Sequence, residues 1–489
     1  MRIKDWLREI SYEVLQGSLE VEVEEVVYDS RKACPGAVFV CMRGARTDSH
    51  SFCSQVYEAG GRVFVVEHPV ELPKDAVIIK VENGRQALAY LSAARFGYPD
   101  RKMVTIGVTG TKGKTTTTHM IKAILEACGK KVGMVGTNGV YFAGVKEPTV
   151  NTTPESYQLH QYFDRMVEAG CEYMVMEVSS QAFKLHRTDG IFFDFGIFTN
   201  ISPDHIGKDE HADFAEYLAC KAQIFAQSRI GIGDLDDAHF DEVTKDADCP
   251  LYTYSLEQDA DFMAQDIRYV ADAGTVGLKF TVKGRFEADV QVGIPGRFNV
   301  SNAMAALSVC SFFNLPKEKV CHALEHIHVN GRMELAYSSE VCKVIIDYAH
   351  NAVSMESLLK TLREYHPARL VVVFGCGGNR AKERRYSMGE MAGKLADLSI
   401  ITADNSRFEK VEDIINDIKS ALIPTGGAYL EIWDRREAIT YAIAHAQKGD
   451  MIAVIGKGHE DYQEVDGVRT HFLDREVVDE AVAGLSAGR

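Results

Sequence analysis

One segment restricts the fold of this chain more than any other: apolar VTIGV runs into TGTKGK and then into TTTTHMIKAIL, residues 104–125, where apolar positions recur at helical spacing. A strand, a glycine loop and a helix in that order make a cradle for phosphate, because main-chain N–H groups and the positive end of the helix dipole face the anion. Gly107, Gly110 and Gly113 let the backbone approach, Lys114 adds a positive charge, and the Thr115 hydroxyl can ligate Mg²⁺. The strict GxxxxGK[ST] spacing is not met, since Val108 stands where the first glycine is required, so this is a variant nucleotide loop. The competing reading is a plain surface turn ahead of a helix.

The rest of the chain repeats the same alternation of short β-rich runs and helical periodicity, the pattern of parallel sheets covered by helices. Strands are expected at Val63–Glu67, Met103–Val108, Tyr173–Val178, Lys343–Asp347, Leu370–Phe374, Leu398–Thr402 and Met451–Ile455. At roughly 100–200 residues per domain, a chain of 489 has room for two to four domains. Polar FGYPDRK ends a first α/β unit near residue 102, and βα alternation restarts after NGRMELAYSSE near residue 334. Between about 250 and 295, segments such as VGLKFTV and FEADVQVGI alternate as antiparallel strands do. The expected division is therefore 1–102, 103–333 and 334–489, with no internal repeat or low-complexity tract.

Charge and cysteine usage narrow the function. Lys and Arg total 54 and Asp and Glu total 70, a net charge of −16, so the surface repels nucleic-acid phosphate and anionic lipid. Nucleic-acid and membrane partners are thus disfavoured. The eleven cysteines are scattered and never form a CxxC pair, which fits a reducing cytoplasm rather than a disulfide framework or a zinc site. No apolar run is long enough to span a membrane, and the start MRIKDWLREISYEVL has no signal-peptide core.

Further candidates sit after other strands. Glu177 in MEVSSQ stands at a strand's carboxyl end, where α/β proteins collect ligands and metals, with Ser179 and Arg187 nearby in sequence. Asp204 and His205 form a carboxylate–imidazole pair that can ligate a metal. Lys221 lies on an amphipathic helix, where a lysine is ordinarily solvated. Asp347 and His350 in DYAHN can meet a nucleotide, or the segment can simply begin a helix capped by Asn351. FGCGGNRAKERR, TADNSRFE and IGKGHEDYQE suggest a polar pocket in which Arg385 and Arg407 pair with carboxylates and Glu460 takes an ammonium group. A zwitterionic small molecule fits that combination.

Taken together and in order, TGTKGKTTT, MEVSSQ, NISPDH, YLACKAQIF, PGRFNVSNA, NGRME, DYAHN, FGCGGNR, DNSR and GKGHEDYQ resemble the Mur ligase family over nearly the whole chain. MEVSS, DNxR and GKGHE are similar to the branch that adds the third residue of the peptidoglycan stem peptide. The resemblance implies three domains: a small uridine-nucleotide domain, a central ATPase-like parallel sheet with an antiparallel patch, and a C-terminal Rossmann-like domain. It implies an ATP- and Mg²⁺-dependent ligase joining UDP-N-acetylmuramoyl-L-alanyl-D-glutamate to a diamino acid through an acyl phosphate. A monomer is the family default, and because ATP contacts would come from both the middle and last domains, closure is expected to assemble the site.

The same resemblance assigns residues. Ser30 and Arg31 would hold the uridine nucleotide, and Asn151, Thr152, Thr153, Ser179 and Arg187 the muramyl peptide. Gly110, Thr111, Lys112, Gly113, Lys114, Thr115 and Thr116 would cradle ATP, joined by Asn302, Arg332, Asp347 and His350. Thr115, Glu177, His205 and Lys221 would surround Mg²⁺, with Lys221 carbamylated and also meeting the UDP substrate. Arg385, Asp404, Asn405, Arg407, Gly456 and Glu460 would surround the amino acid.

The chain departs from the family pattern in places. It reads DNSR where diaminopimelate enzymes carry DNPR, so a rigidifying proline is absent while Arg407 is kept. Lysine lacks the distal carboxylate that Arg407 would pair with, which favours meso-diaminopimelate over L-lysine. SPDHIGKDEHADF is longer than the commoner form, and Asn379 and Ala381 replace the usual aspartates. Two other readings stand beside this one: a folylpolyglutamate-type ligase, against which DSRKACPG argues, and a noncatalytic nucleotide-binding regulator, against which Lys114, Glu177, His205 and Lys221 together argue.

Overall fold

The computed structural model describes residues 1–44, 47–204, 206–207, 210–272 and 275–487. The chain divides into two compact units, Met1–Phe262 with Met304–Pro316, and Met263–Ala303 with Lys317–Arg489.

The first unit opens with a five-stranded sheet in the order Glu13–Gln16, Val77–Lys80, Val63–Val66, Ala37–Val40 and Glu25–Val27. Only its edge strand Glu13–Gln16 runs antiparallel. Runs such as AVFV and VFVV are apolar at every position because both faces are covered. Val38, Val65 and Ile79 pack with Leu88 and Leu91 of the helix Gly84–Arg95, while Phe39, Phe64 and Ile78 pack on the other side with Cys41 and Cys53.

The same unit contains six parallel strands in the order Leu251–Ser255, Ser228–Asp234, Phe193–Phe198, Val104–Thr109, Tyr173–Glu177 and Val132–Gly136. Antiparallel Gly139–Phe142 and Val145–Glu147 extend it. The loop-bearing strand Val104–Thr109 lies between Phe193–Phe198 and Tyr173–Glu177, so three carboxyl ends gather at one edge, the usual ligand edge of an open α/β sheet.

In the second unit Thr275–Gly284 pairs antiparallel with Ala288–Val292, Leu278 opposite Val292, as the alternating pattern predicts. A six-stranded sheet follows in the order Glu334–Ser338, Cys342–Asp347, Asp450–Ile455, Arg369–Phe374, Leu398–Ile401 and Tyr429–Glu431, parallel except for its first pair. Val344, Ile346, Val371, Val373, Ile452 and Val454 form its core with Ile439 and Ile443 of the helix Arg435–Ala444. A hairpin, Tyr462–Val465 with Val468–His471, follows Asp450–Ile455 in the chain.

All seven expected strands are present, with ends displaced by about a residue, such as Val104–Thr109 for Met103–Val108. Val132–Gly136 and Ser228–Asp234 were not anticipated. Their sequences VGMVG and SRIGIGD carry glycines, which depress strand propensity and register only once neighbouring strands pair with them.

Candidate active site

The phosphate loop is held open by two glycines. Gly113 adopts φ +87° as the N-cap of the helix Lys114–Ala127, and Gly110 adopts φ +150°, where a Cβ would fall 1.9 Å from the Thr199 hydroxyl. Around it, the Thr111 N–H donates to the Asn200 carbonyl at 2.8 Å, the Lys112 N–H to Asn200 Oδ1 at 2.9 Å, and the Thr199 hydroxyl to the Lys112 carbonyl at 2.7 Å. Thr115 and Thr116 lie buried in the first helical turn, where their N–H groups begin the helix.

Two lysines meet on one carbonyl. Lys114 Nζ and Lys221 Nζ each donate to the Gly110 oxygen at 2.8 Å. Lys221 projects from the helix Phe214–Ala226, is buried, and lies 4.7 Å from the centre of the Tyr217 ring. Burial, reinforced by the Lys114 charge, holds its amine well below the usual lysine range. The Tyr217 hydroxyl is 2.9 Å from that of Thr111, and burial pushes the phenol up to about 12.

Beside this pair, Glu177 ends its strand fully buried. Its carboxylate accepts from the Thr115 hydroxyl at 2.9 Å, the Thr137 N–H at 2.8 Å and the Thr137 hydroxyl at 3.2 Å. Thr115 and Glu177 are thus brought together as oxygen donors of the kind a hard cation such as Mg²⁺ prefers. Asp204 lies 3.5 Å from Lys112 Nζ. His205 lies outside the described residues.

The muramyl-peptide candidates form a second network on the same edge. The Thr153 hydroxyl donates to the Glu177 carbonyl at 2.9 Å and accepts from the Ser179 N–H at 3.0 Å, and Arg187 binds the Thr153 carbonyl at 3.0 Å and Glu155 at 2.7 Å. The hydroxyls of Thr152 and Thr137 are 3.0 Å apart, while Asn151 is exposed. In the five-stranded part of this unit, Ser30 and Arg31 start a short 3₁₀ turn whose N-cap is Asp29. Arg31 folds back on Asp29 at 2.7 Å and holds that carboxyl down near 2.

In the second unit, Asp347 ends its strand and accepts from the Met333 N–H at 2.8 Å and the Ala349 N–H at 2.7 Å. Burial raises its carboxyl above the usual range, against the pull of Arg332. The Arg332 guanidinium stands 5.0 Å from the centre of the Tyr348 ring, and His350 Nδ1 is 2.9 Å from the Tyr348 carbonyl. Asn351 caps the helix Ala352–Arg363 by accepting from the Ser354 N–H. Asn302 donates to Asn299 at 2.8 Å, which donates to the Pro295 carbonyl at 2.6 Å.

The amino-acid candidates converge at neighbouring strand ends, with one exception. Asn405 donates to Glu460 at 2.9 Å and accepts from the Glu464 N–H at 3.0 Å and from Lys457 Nζ at 3.2 Å. A Cβ on Gly456, φ +111°, would fall 2.7 Å from the Asp404 carboxylate. Arg407, at φ +52°, reaches the Gly378 carbonyl at 2.7 Å. Arg385 instead lies buried with its guanidinium engaged by Glu409 and Asp417, each at 2.8 Å. Glu409 also accepts the Asn379 N–H, so Arg385 braces the glycine loop on which Arg407 rests.

Several members of these networks are not apparent from the sequence. Lys457 is buried and ties Glu460, Asn405 and the Tyr462 carbonyl together, though the GKGHE motif displayed it openly. His211 is buried with Nε2 2.9 Å from the Ser180 hydroxyl, in the stretch where the family pattern is hardest to align. Asn200 opens the NISPDH motif without having been singled out, and Thr137 lies outside every motif.

A parallel sheet that delivers a phosphate loop and a buried glutamate to one edge, where a helix adds a buried lysine, defines a phosphate-handling α/β enzyme. Residues 22–96 match the Mur ligase family catalytic domain, 108–310 the Mur ligase middle domain and 331–458 the Mur ligase glutamate ligase domain, and the chain belongs to the Mur ligase family. It is 39% identical to the UDP-N-acetylmuramoyl-L-alanyl-D-glutamate--2,6-diaminopimelate ligase of Clostridium perfringens over 99% of this chain and all of that one. The enzyme of the same name from Clostridium tetani is 38% identical over the same shares. A solved structure of a ligase of that name matches with a TM-score of 0.76 at 28% identity, covering 99% of both chains. Mycobacterium tuberculosis folylpolyglutamate synthase shares the fold, with a TM-score of 0.59 at 19% identity over 81% of this chain and 94% of its own.

Proposed function

We propose that this chain is an ATP-dependent ligase that joins meso-diaminopimelate, in preference to L-lysine, to UDP-N-acetylmuramoyl-L-alanyl-D-glutamate. The observation that carries the reading is the full-length similarity to ligases of that name, joined to loops that link Glu460, Asn405 and Arg407 through hydrogen bonds by way of Glu464. A molecule with a carboxylate and an ammonium at its far end matches that set, while lysine would leave the arginine without an anion. Residues 1–102 would hold the uridine nucleotide through Ser30 and Arg31, 103–333 the ATP, and 334–489 the amino acid.

A carboxylate is a poor acyl donor, so the substrate's free carboxylate would first attack the γ-phosphate of ATP, expelling ADP and becoming an acyl phosphate, from which the incoming amine would displace inorganic phosphate as it loses a proton and forms the amide. Lys114 and the loop N–H groups would bind and orient the phosphates. Thr115 and Glu177 would hold Mg²⁺, which neutralises phosphoryl charge when bound. A bare ammonium at Lys221 would repel that ion, but burial lowers its basicity and so favours the neutral amine, which would add CO₂ and release a proton to give an oxygen-bearing carbamate. Thr153, Ser179 and Arg187 would position the muramyl peptide. Asn302, Arg332, Asp347 and His350 would contact ATP from their own elements, and the protein would work as a cytoplasmic monomer.

Phosphate release with ATP, Mg²⁺ and the UDP-muramoyl dipeptide, with diaminopimelate and lysine run in parallel, tests the reading. Preference for diaminopimelate is expected. Preference for lysine would overturn the substrate assignment and point to a pocket re-aimed by Ser406, and no release with either would favour a regulator.

A further inference from the structure

Among the described residues, two clusters combine histidine with carboxylate at ligating range, Asp48–His50–His68 and His322–Glu325–His326. In the first, both His50 nitrogens are committed: Nδ1 to Asp48 at 2.5 Å, and Nε2 to the Glu67 N–H at 2.9 Å. The second is built differently. We propose that His322, Glu325 and His326 form a binding site for a divalent transition-metal ion, zinc foremost, separate from the magnesium site of the ligase reaction.

The helix Lys317–Glu325 turns Val320, Ala323 and Leu324 inward, and Ile327 just beyond its end continues that stripe. This i, i+3, i+4, i+7 spacing accounts for its packing and leaves His322, Glu325 and His326 together on the exposed side. The His326 N–H bonds to the His322 carbonyl at 3.2 Å, so the helical spacing continues through His326 and the two imidazoles stand one turn apart. Their ring centres are 4.2 Å apart, and one ligand atom from each of the three residues lies within 4.8 Å of the others.

The tautomer follows from the geometry. His326 Nδ1 lies 3.0 Å from the His322 carbonyl, and a carbonyl only accepts, so Nδ1 carries the proton and Nε2 keeps its lone pair for a metal. An Nδ1–H bond to a main-chain carbonyl is the usual support of a metal-bound imidazole, fixing ring orientation and raising ligand basicity. Two imidazoles with one carboxylate select Zn²⁺, Ni²⁺ or Cu²⁺ over Mg²⁺ and Ca²⁺. Three protein ligands leave a tetrahedral position for water, which makes this an exchangeable site rather than a closed structural one.

The test is zinc titration of the untagged full-length protein by calorimetry, with excess Mg²⁺ to occupy the nucleotide site. One equivalent of Zn²⁺ should bind to the wild type. His322→Ala and His326→Ala should each weaken that binding by about tenfold or more, since losing even a supporting partner of a ligand costs that much. Cu²⁺ substitution should show two coupled imidazole nitrogens by electron paramagnetic resonance, and one in His326→Ala. Alanine suits the helix at the exposed His322, and unchanged melting midpoints check that both variants are folded. Zinc binding that persists undiminished in both variants would place the ion elsewhere and overturn the proposal, as would no binding to the wild type.

Discussion

His160 lies wholly inside the helix Ser156–Glu168, and neither ring nitrogen has a hydrogen-bond partner among the described residues. Burial drives its basicity down to about 3 from the ordinary 6.5, so the folded chain keeps it neutral while the unfolded chain protonates it. Unfolded protein therefore binds more protons below 6.5, and stability falls as pH drops through that value until about 3, by up to about 1.4 kcal/mol per pH unit. His160→Leu, similar in volume and without polar atoms, should shallow the loss of stability between pH 6 and 4, measured by urea unfolding across pH. An unchanged slope would assign the acid sensitivity to other groups. Lys221 is the counterpart in the proposed active site, a buried amine whose proposed carbamate would be lost in Lys221→Ala. Turnover should fall by about 10²-fold or more, as when one charge-stabilising group is removed from an active site. Added short carboxylic acids should restore part of it, because they return oxygen atoms to the space the amine vacates, and Lys221→Arg should not.

At the scale of elements, the phosphate loop was legible because every determinant is local: strand, two glycines of unusual φ and a helix start within about ten residues. Glu177 was legible for the same reason, as the last residue of an apolar strand. Arg385 and Arg407 looked alike in sequence, and only folding separates them. The carboxylates that engage Arg385 come from Glu409 and Asp417, 24 and 32 residues further on, so no spacing rule could show that its charge was already matched. Lys457 was hidden by the reverse effect: a lysine between two glycines reads as exposed, yet it turns inward to hold Glu460 and Asn405. Lys457→Met should therefore raise KM for the diamino acid by about fivefold or more while leaving KM for ATP unchanged, because Glu460 and Asn405 lose a buried partner worth about 1–3 kcal/mol. Equal loss on both substrates, measured by steady-state kinetics, would show general damage to the sheet edge instead.

For the whole molecule, the separation into two compact units means stability need not be one number. The second unit contains a fully buried ion pair, Arg435 with Asp474, joined by two bonds of 2.7 Å, and Arg435 also donates to the Ile455 carbonyl at 2.9 Å. Ile455 immediately precedes Gly456, so the pair anchors the strand end that carries the GKGHE loop. Removing one member strands the other charge in a medium that cannot solvate it, a cost of about 3–5 kcal/mol. For a unit of this size that corresponds to a melting shift on the order of 10 °C. Arg435→Met should lower the calorimetric transition of the second unit by that amount and leave the transition of the first in place, whereas the double variant Arg435→Met with Asp474→Leu should recover most of the loss, since paired apolar residues leave no charge buried. A uniform drop of one transition would show that the units unfold together. Failure of the double variant to recover would mean that the bond to Ile455, rather than the ion pair, fixes this end of the sheet.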